Sequence, residues 1–454
     1  MAWHARMIGA AAVAIAVAAA AVAFGQDAAQ QGTPNPFSAA PPTKLPYDTE
    51  YPVMHYGRTP THNAIARLQQ RLQSGELQLT FSAPRGYLDS LLAALGIDKS
   101  SQSLVYSKTS LQTGLISAAT PRALYFDTDT YVGYVQGTAN LELGTMDSEL
   151  GQVFYTLPNQ QGPPRIERQT LTCLACHDTY EMSGGGVPRF LLMSSYVNVN
   201  GDQLTHEDSI LTTDETPMES RWGGWYVTGQ TGKQVHVGNI QVHTVQELVK
   251  LDSVRRGNLE TLDGLFNTQP YLTDKSDVVA LLVLQHQVTV QNLLTRVNFE
   301  VRQALAGSGN TPSSLSPKTR DQLHGYLDDL AKAMLFGDAV PYIDTIRGNS
   351  GFAAWFQKQG PRDPQGRSLR ELDLKTRLLR YPLSYLVYTA SFDGLPDYAR
   401  DYVYGRFADV LQGRDRSDTY AFMSDADRRD TLAILTATKP SFARYLATHK
   451  ATAR

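Results

Sequence analysis

The spacing of apolar residues divides the chain into a mixed N-terminal half and a helical C-terminal half. Before about residue 252, short apolar runs alternate with segments of helical spacing, whereas later apolar residues recur every three or four positions over long stretches. Strands gathered in one part of a chain and helices in the other are typical of an α+β fold. We therefore predict an α+β protein with a mixed half and a mainly helical half.

Strands dominate the prediction for the first half, after two short amphipathic helices. Residues 63–74 and 87–95 carry apolar side chains at helical spacing. Four runs rich in Val, Leu, Tyr and Phe then predict an antiparallel sheet, with strands over 124–126, 131–135, 141–143 and 153–157. The stretch 172–231 is irregular and contains several glycines, which is typical of a functional loop. A further strand pair is predicted over 225–228 and 235–242.

One long helix opens the second half. Residues 277–305 contain no Pro or Gly, and Ser276 is a candidate N-cap. Further helices are predicted over 318–335, 369–379, 396–411 and 425–435.

The N-terminus has the plan of a secretory signal peptide. A short segment with His4 and Arg6 precedes an apolar run built almost wholly from Ala, Val and Ile, and Ala21 and Ala23 offer a small-residue cleavage site. An uncleaved membrane anchor is the alternative. We predict a signal peptide over 1–25, a leader over 26–46, a mixed region over 47–251 and a helical region over 252–454, the last two able to form one globule. No stable membrane span is expected after cleavage.

Charge and cysteine content exclude several classes of protein. The 454 residues include 41 Lys and Arg against 44 Asp and Glu, a formal charge of -3 without the basic excess typical of nucleic-acid partners. The chain has two cysteines, which excludes a disulfide-rich scaffold and a four-cysteine zinc site.

Those two cysteines stand in one motif. Cys173, Leu174, Ala175, Cys176 and His177 spell C-x-x-C-H, in which two thiols three residues apart are followed by an imidazole. A redox disulfide is one alternative, but residues 165–172 do not resemble the buried strand that precedes such a motif. A zinc site is another, although adjacent Cys176 and His177 are poorly placed to bind one tetrahedral ion.

The motif resembles the haem-attachment site of c-type cytochromes. That resemblance implies one covalent haem c, with thioether bonds to Cys173 and Cys176 and with His177 as the proximal iron ligand. It covers five residues. The segments 221–229 and 236–239 add a vaguer similarity to large exported cytochrome-like proteins of unassigned function. The chain is much longer than a small electron carrier and has one motif where two-haem peroxidases have two.

The second axial position of the iron is open to several candidates. His286 lies on a polar stripe of the long predicted helix, together with Arg296, and could face the haem or be an ordinary core histidine. His236 alternates with valines and could line a pocket, while His243 falls on the opposite strand face and His206 in a solvated loop. Methionine candidates rank lower; they are Met218, Met182 and Met193.

Other residues could contact the cofactor. Trp222 and Trp225 could pack on a porphyrin, and Arg221 could pair with a propionate, although a structural turn explains the same residues. For Tyr180 a packing role is preferred.

We therefore expect a periplasmic or otherwise exported monohaem protein that binds haem and transfers electrons with a redox partner protein or a small-molecule oxidant. Catalysis of the peroxidase or oxygenase type, in a pocket between the two halves, is a further hypothesis, with His286, Arg296 or His236 assisting. A haem-based ligand sensor, or a docking subunit without turnover, is the alternative from another class.

Overall fold

A computed structural model describes residues 51–178, 186–204, 209–242, 244, 247 and 258–449. The predicted signal peptide and leader lie outside these residues. Described residues on both sides of the predicted 251/252 boundary belong to one compact unit.

The N-terminal half is built on a six-stranded antiparallel sheet in which every strand pairs with its neighbour in the chain. Its strands are β1 (Ser103–Val105), β2 (Arg122–Phe126), β3 (Thr130–Tyr134), β4 (Asn140–Asp147), β5 (Gly151–Pro158) and β6 (Glu167–Gln169). A separate pair consists of β7 (Met193–Ser194) and β8 (Ile210–Leu211). Tyr131, Gly144 and Phe154 are paired across β3, β4 and β5, so they form one row across the sheet.

Helices flank the sheet in the chain and make up most of the second half. The α-helices are α1 (Ala64–Gln73), α2 (Leu88–Leu95), α3 (Leu174–His177), α4 (Val278–Gly307), α5 (Pro317–Met334), α6 (Phe352–Lys358), α7 (Ala390–Asp393), α8 (Asp397–Leu411), α9 (Asp425–Thr438) and α10 (Pro440–His449). Short 3-10 turns lie at Pro52–Met54, Lys99–Ser101, Thr113–Leu115, Met218–Ser220, Pro312–Ser314, Tyr385–Tyr388 and Asp418–Tyr420. This division confirms the α+β prediction.

Helix α4 is the central helix of the molecule. Asp277 caps it by accepting hydrogen bonds from Val279 N and Ala280 N, and its other oxygen accepts from Asn349 N and Ser350 N. Every residue from 278 to 288 is buried. The helix is long and apolar enough to cross a membrane, but most of it is buried inside the protein, as expected of a core helix.

Three local predictions were wrong. The N-cap of α4 is Asp277, because the Ser276 hydroxyl instead donates to Tyr226 O. Residues 369–379 are not helical: the Asp373 carboxylate accepts from Lys375 N and Thr376 N, which competes with helix formation.

The third concerns the strand pair predicted over 225–228 and 235–242. Residues 235–242 form no strand, and residues 225–228 make only isolated bridges. Instead, the Asn239 side chain takes the place of a strand partner. Its amide oxygen accepts from Val227 N at 2.7 Å and its amide nitrogen donates to Val227 O at 2.8 Å. Asn239 has a φ of 64°, a left-handed conformation that a regular strand does not contain.

Candidate functional site

The C-x-x-C-H motif forms one helical turn just after the last strand of the sheet. Cys173 precedes α3, and its carbonyl accepts hydrogen bonds from the backbone N–H of Cys176 and His177. Both cysteines are free thiols and partly exposed. The turn therefore presents two thiols and one imidazole from five consecutive residues.

The imidazole of His177 is held by main-chain atoms of Arg189. His177 Nδ1 lies 2.6 Å from Arg189 O, and Arg189 N donates to His177 O at 2.9 Å. Because a carbonyl oxygen can only accept, Nδ1 carries the proton of the neutral ring and the lone pair is on Nε2. Burial lowers the pKa of His177 to about 4, partly offset by the bond to Arg189, so the ring is neutral at pH 7. A neutral imidazole fixed through Nδ1 is the usual state of a metal-binding histidine.

An aromatic row on the sheet supports the motif from below. The Phe154 ring lies 4.5 Å from the His177 ring, centroid to centroid, and Phe190 packs against both Phe154 and Tyr131. Gly144 lies between Tyr131 and Phe154 in the row, and a Cβ there would come within 2.8 Å of the Phe190 ring. The absence of a side chain at Gly144 thus allows Phe190 to rest on the strand beside His177.

A partly buried ion pair lies next to the motif. Arg122 of β2 reaches across β3 to Glu142 of β4, with Nη2 and Oε2 2.6 Å apart. Burial opposes ionisation of Glu142, but the Arg122 charge and the Ser110 hydroxyl hold the pKa of that carboxyl below its usual value. Charges of this pair act on both Cys173 and His177.

The thiols are not activated as nucleophiles. Burial, with smaller contributions from Glu142 and Cys176, raises the pKa of Cys173 to about 12, and burial also raises the pKa of Cys176. A redox disulfide of the thioredoxin kind depends on a lowered thiol pKa, so this environment does not favour that alternative. Within the described part of the chain, no group of three or more His, Cys, Asp or Glu side chains is placed to hold a metal ion.

The second half of α4 lies beside the segment that holds His177. Asn292 accepts from Phe190 N at 2.9 Å and donates to Phe190 O at 2.8 Å. One turn further on, Arg296 donates to the Tyr51 hydroxyl and to Glu300. Whereas 278–288 are all buried, one stripe of this half is partly exposed; its members are Thr289, Asn292, Leu293, Arg296 and Glu300. The part of the predicted polar stripe that includes Arg296 thus lies near the motif.

His286 lies in a different environment at the buried end of the same helix. Its Nδ1 is 2.6 Å from Asp214 Oδ2 and its Nε2 is 2.8 Å from Ser384 Oγ, while the Phe336 ring stacks on it at 4.4 Å. Burial opposes ionisation of Asp214, but the His286 ring holds its pKa below the usual value. Both ring nitrogens of His286 are thus hydrogen-bonded within the core, which favours the ordinary core histidine of the two alternatives.

The other histidine candidate, His236, is also buried. Its Nδ1 accepts from Gly238 N at 3.1 Å, and its ring meets the Trp222 ring edge-on at 5.5 Å. The indole N–H of Trp222 is buried without a hydrogen-bond partner. His236 therefore belongs to the packing around the turn at residues 221–225.

Side chains of that turn donate hydrogen bonds to main-chain carbonyls of neighbouring segments. Arg221 is 1% exposed, and its guanidinium donates to the carbonyls of Thr216 and Asp214. Trp225 Nε1 donates to Met193 O at 2.7 Å. These contacts support the alternative in which Arg221, Trp222 and Trp225 form a structural turn and do not contact a cofactor.

Among the methionine candidates, Met218 is buried at the start of a 3-10 turn and Met193 lies in β7. The remaining candidates lie outside the described residues; they are Met182, Tyr180, His206 and His243.

One cavity adjoins the sheet away from the motif. A groove of about 590 Å³ is lined by α1, residues 77–79 and residues 163–167, and none of the motif residues lines it. It is not the pocket between the two halves that the sequence suggested.

Sequence reasoning missed the residues that support the motif, namely Arg189, Phe190, Asn292, Arg122 and Glu142. Arg189 and Phe190 follow the glycines of the irregular segment 172–231, which marked this segment as functional but not which residues matter. Nothing in the local sequence indicates that Arg122 and Glu142 meet across a strand.

Comparisons of the chain with protein-family models, with curated proteins and with solved structures find no match. The functional argument therefore depends on the motif and its surroundings.

Proposed function

We propose that this chain is an exported monohaem c-type cytochrome protein that binds one covalent haem and transfers electrons. Cys173 and Cys176 provide the thioether bonds and His177 the proximal iron ligand. When bound, the haem supplies an iron centre that gains and loses one electron.

The observation that carries this proposal is the state of His177. Arg189 O fixes the Nδ1–H of the ring, so the nitrogen with the lone pair is Nε2. The two thiols lie on the same turn and are free. The residues thus have the chemical states that covalent attachment and proximal ligation require.

Four groups of this chain have defined roles in the proposal. The Arg189 carbonyl orients the imidazole, and Phe154 packs against its ring. Arg122 and Glu142 neutralise each other beside the thiols, so the site gains no net charge from that pair. Together these contacts hold the imidazole before a ligand binds, which lowers the cost of ordering it.

The first test is covalent attachment. The full chain is produced with a c-type haem maturation system, alone and with Cys173→Ala plus Cys176→Ala, and stained for haem in a denaturing gel. We expect staining of the parent and none of the double variant. Cys176→Ala alone, which keeps one thiol, is the matched control and should keep part of the staining. A parent without covalent haem, or staining that survives the double change, contradicts the proposal.

Binding of carbon monoxide to the reduced haem distinguishes an electron carrier from a catalyst or a ligand sensor. A low-spin reduced haem that does not bind carbon monoxide supports an electron carrier, because both axial positions are then occupied. Rapid binding of carbon monoxide to a high-spin haem would instead favour catalysis or ligand sensing, because both require an open axial position.

A further inference from the structure

The hydrogen bond that orients His177 ends on a peptide group that is bonded at both of its ends. Arg189 O and Phe190 N belong to the same peptide group. On one side, His177 Nδ1 donates to Arg189 O at 2.6 Å. On the other side, Phe190 N donates to the side-chain oxygen of Asn292 at 2.9 Å. The imidazole of the proposed iron ligand is therefore joined to a side chain of α4 through one peptide group.

The amide of Asn292 is fixed in one orientation by its partners. Its oxygen accepts from Phe190 N and, at 3.0 Å, from the side-chain nitrogen of Gln152, while its nitrogen donates to Phe190 O at 2.8 Å. Turning the amide over would place its nitrogen against two donors and its oxygen against a carbonyl. Gln152 is fully buried in β5, so the sheet keeps the acceptor oxygen of Asn292 in place.

Hydrogen bonds at the two ends of a peptide group strengthen each other. An acceptor at the N–H polarises the group and makes the carbonyl oxygen more negative. A more negative Arg189 O binds the Nδ1–H of His177 more strongly, which raises the electron density and the basicity of the imidazole at Nε2. A more electron-rich axial ligand stabilises ferric over ferrous iron and so lowers the reduction potential.

We propose that Asn292 is a positioning residue that holds the peptide group between Arg189 and Phe190 and thereby sets the strength of the hydrogen bond on His177. This inference rests on the proposed function, in which His177 is the proximal iron ligand. The hydrogen bonds of Asn292 go to Phe190 and Gln152, so its effect on the imidazole passes through the main chain.

The first test uses the full chain without haem and measures the NMR signal of the His177 Nδ1 proton with isotope-labelled histidine. Loss of the signal in His177→Gln assigns it. Asn292→Leu removes the acceptor at similar volume, so the signal should move upfield as the bond to Arg189 O weakens. Asn292→Asp keeps an acceptor for Phe190 N and gives it a negative charge, so the signal should move downfield.

The matched control is Asn298→Leu, the same change on the same helix. Asn298 donates to Glu149 O at 2.6 Å and accepts from the Arg302 guanidinium, so its side chain is bonded to a different part of the main chain. The His177 signal of this variant should match that of the parent.

The second test measures the reduction potential of the haem-loaded chain. We expect Asn292→Leu to raise the equilibrium constant for reduction about threefold, or about 28 mV for one electron. Asn292→Asp should lower it, and Asn298→Leu should change it little. Because Asn292→Asp keeps the acceptor, the comparison with the parent stands even if Asn292→Leu folds poorly.

The inference is overturned if Asn292→Leu leaves the His177 signal in place, if Asn298→Leu moves it as far, or if the two Asn292 variants shift the potential in the same direction. A loss of stability without these opposite shifts would leave Asn292 with a structural role only. Failure of the proposed function is distinct, because the parent would then carry no covalent haem while the haem-free measurement would still test the hydrogen bonds.

Discussion

At the scale of single residues, the hydrogen bonds of His286 fit two interpretations, a catalytic triad or a link within the core. Asp214, His286 and Ser384 are hydrogen-bonded in series, as in a hydrolytic triad. His286 and Ser384 are both fully buried, and the Ser384 hydroxyl also accepts from Leu386 N. The hydroxyl is therefore closed to a substrate. The chain of bonds instead joins three segments of the core.

We expect His286→Ala to lower the free energy of unfolding by about 2 to 4 kcal/mol, because it leaves a cavity and removes one buried hydrogen bond each from Asp214 and Ser384. Denaturant unfolding measures the loss. Thr289→Ala, on the same helix, removes a hydroxyl that bonds only Gln285 O and should cost much less. Preserved stability with an altered haem spectrum would restore His286 as an iron ligand.

At the scale of elements, the turn between β2 and β3 holds two carboxyl groups in a tight space. Asp127 accepts hydrogen bonds from the backbone N–H of Asp129 and Thr130, while one Asp129 oxygen is buried without a partner. Burial, and then the charge of Asp127, raise the pKa of Asp129 to about 7. Because aspartate titrates near pH 4 in an unfolded chain, the native state holds more protons between these values. This group's contribution to stability therefore falls as pH rises from about 4 to 7.

Asp129→Asn should remove this pH dependence. The variant should match the parent near pH 4 and exceed it by on the order of 2 kcal/mol above pH 7. Unfolding by denaturant across this range measures the difference. Asp202→Asn is the control of opposite sign: the hydrogen bond from Lys108 lowers the pKa of Asp202, so this change should cost a little stability above pH 4. A constant difference between Asp129→Asn and parent would contradict the assignment.

Sequence patterns predicted elements well where apolar spacing alone decides the conformation. The long helix predicted over 277–305 is α4, and the predicted strand over 153–157 lies within β5. Sequence patterns failed where a polar side chain replaces a backbone hydrogen-bond partner, as Asn239 does for Val227. The motif could be found from its spacing, but Arg189 lies 12 residues from His177 and is joined to it by folding alone.

At the scale of the whole molecule, α4 joins the two halves. Tyr131 of β3 donates to Gln291, and Gln152 of β5 donates to Asn292. Gln287 donates to the Tyr131 hydroxyl and accepts from the Tyr385 hydroxyl of the second half. These buried polar groups have partners only when the sheet and the second half are together.

Residues 47–251 produced alone should therefore lack a cooperative unfolding transition, because the sheet loses the helix that pairs its buried polar groups. Near-UV circular dichroism and thermal unfolding of this fragment, compared with the full chain, measure this. A sharp transition in the fragment would mean that the halves are separate domains.

Two hydrogen bonds join His177 to Arg189, one from the imidazole Nδ1 and one between the main chains. The position of the imidazole therefore does not depend on the length of the chain between the two residues. A segment closed at its base by its own end residues can lengthen at small cost, about 0.6 kcal/mol for each doubling. By this general cost, a sequence insertion between these two residues should leave the imidazole in place. The same clamp offers a site for grafting a peptide next to the proposed redox centre.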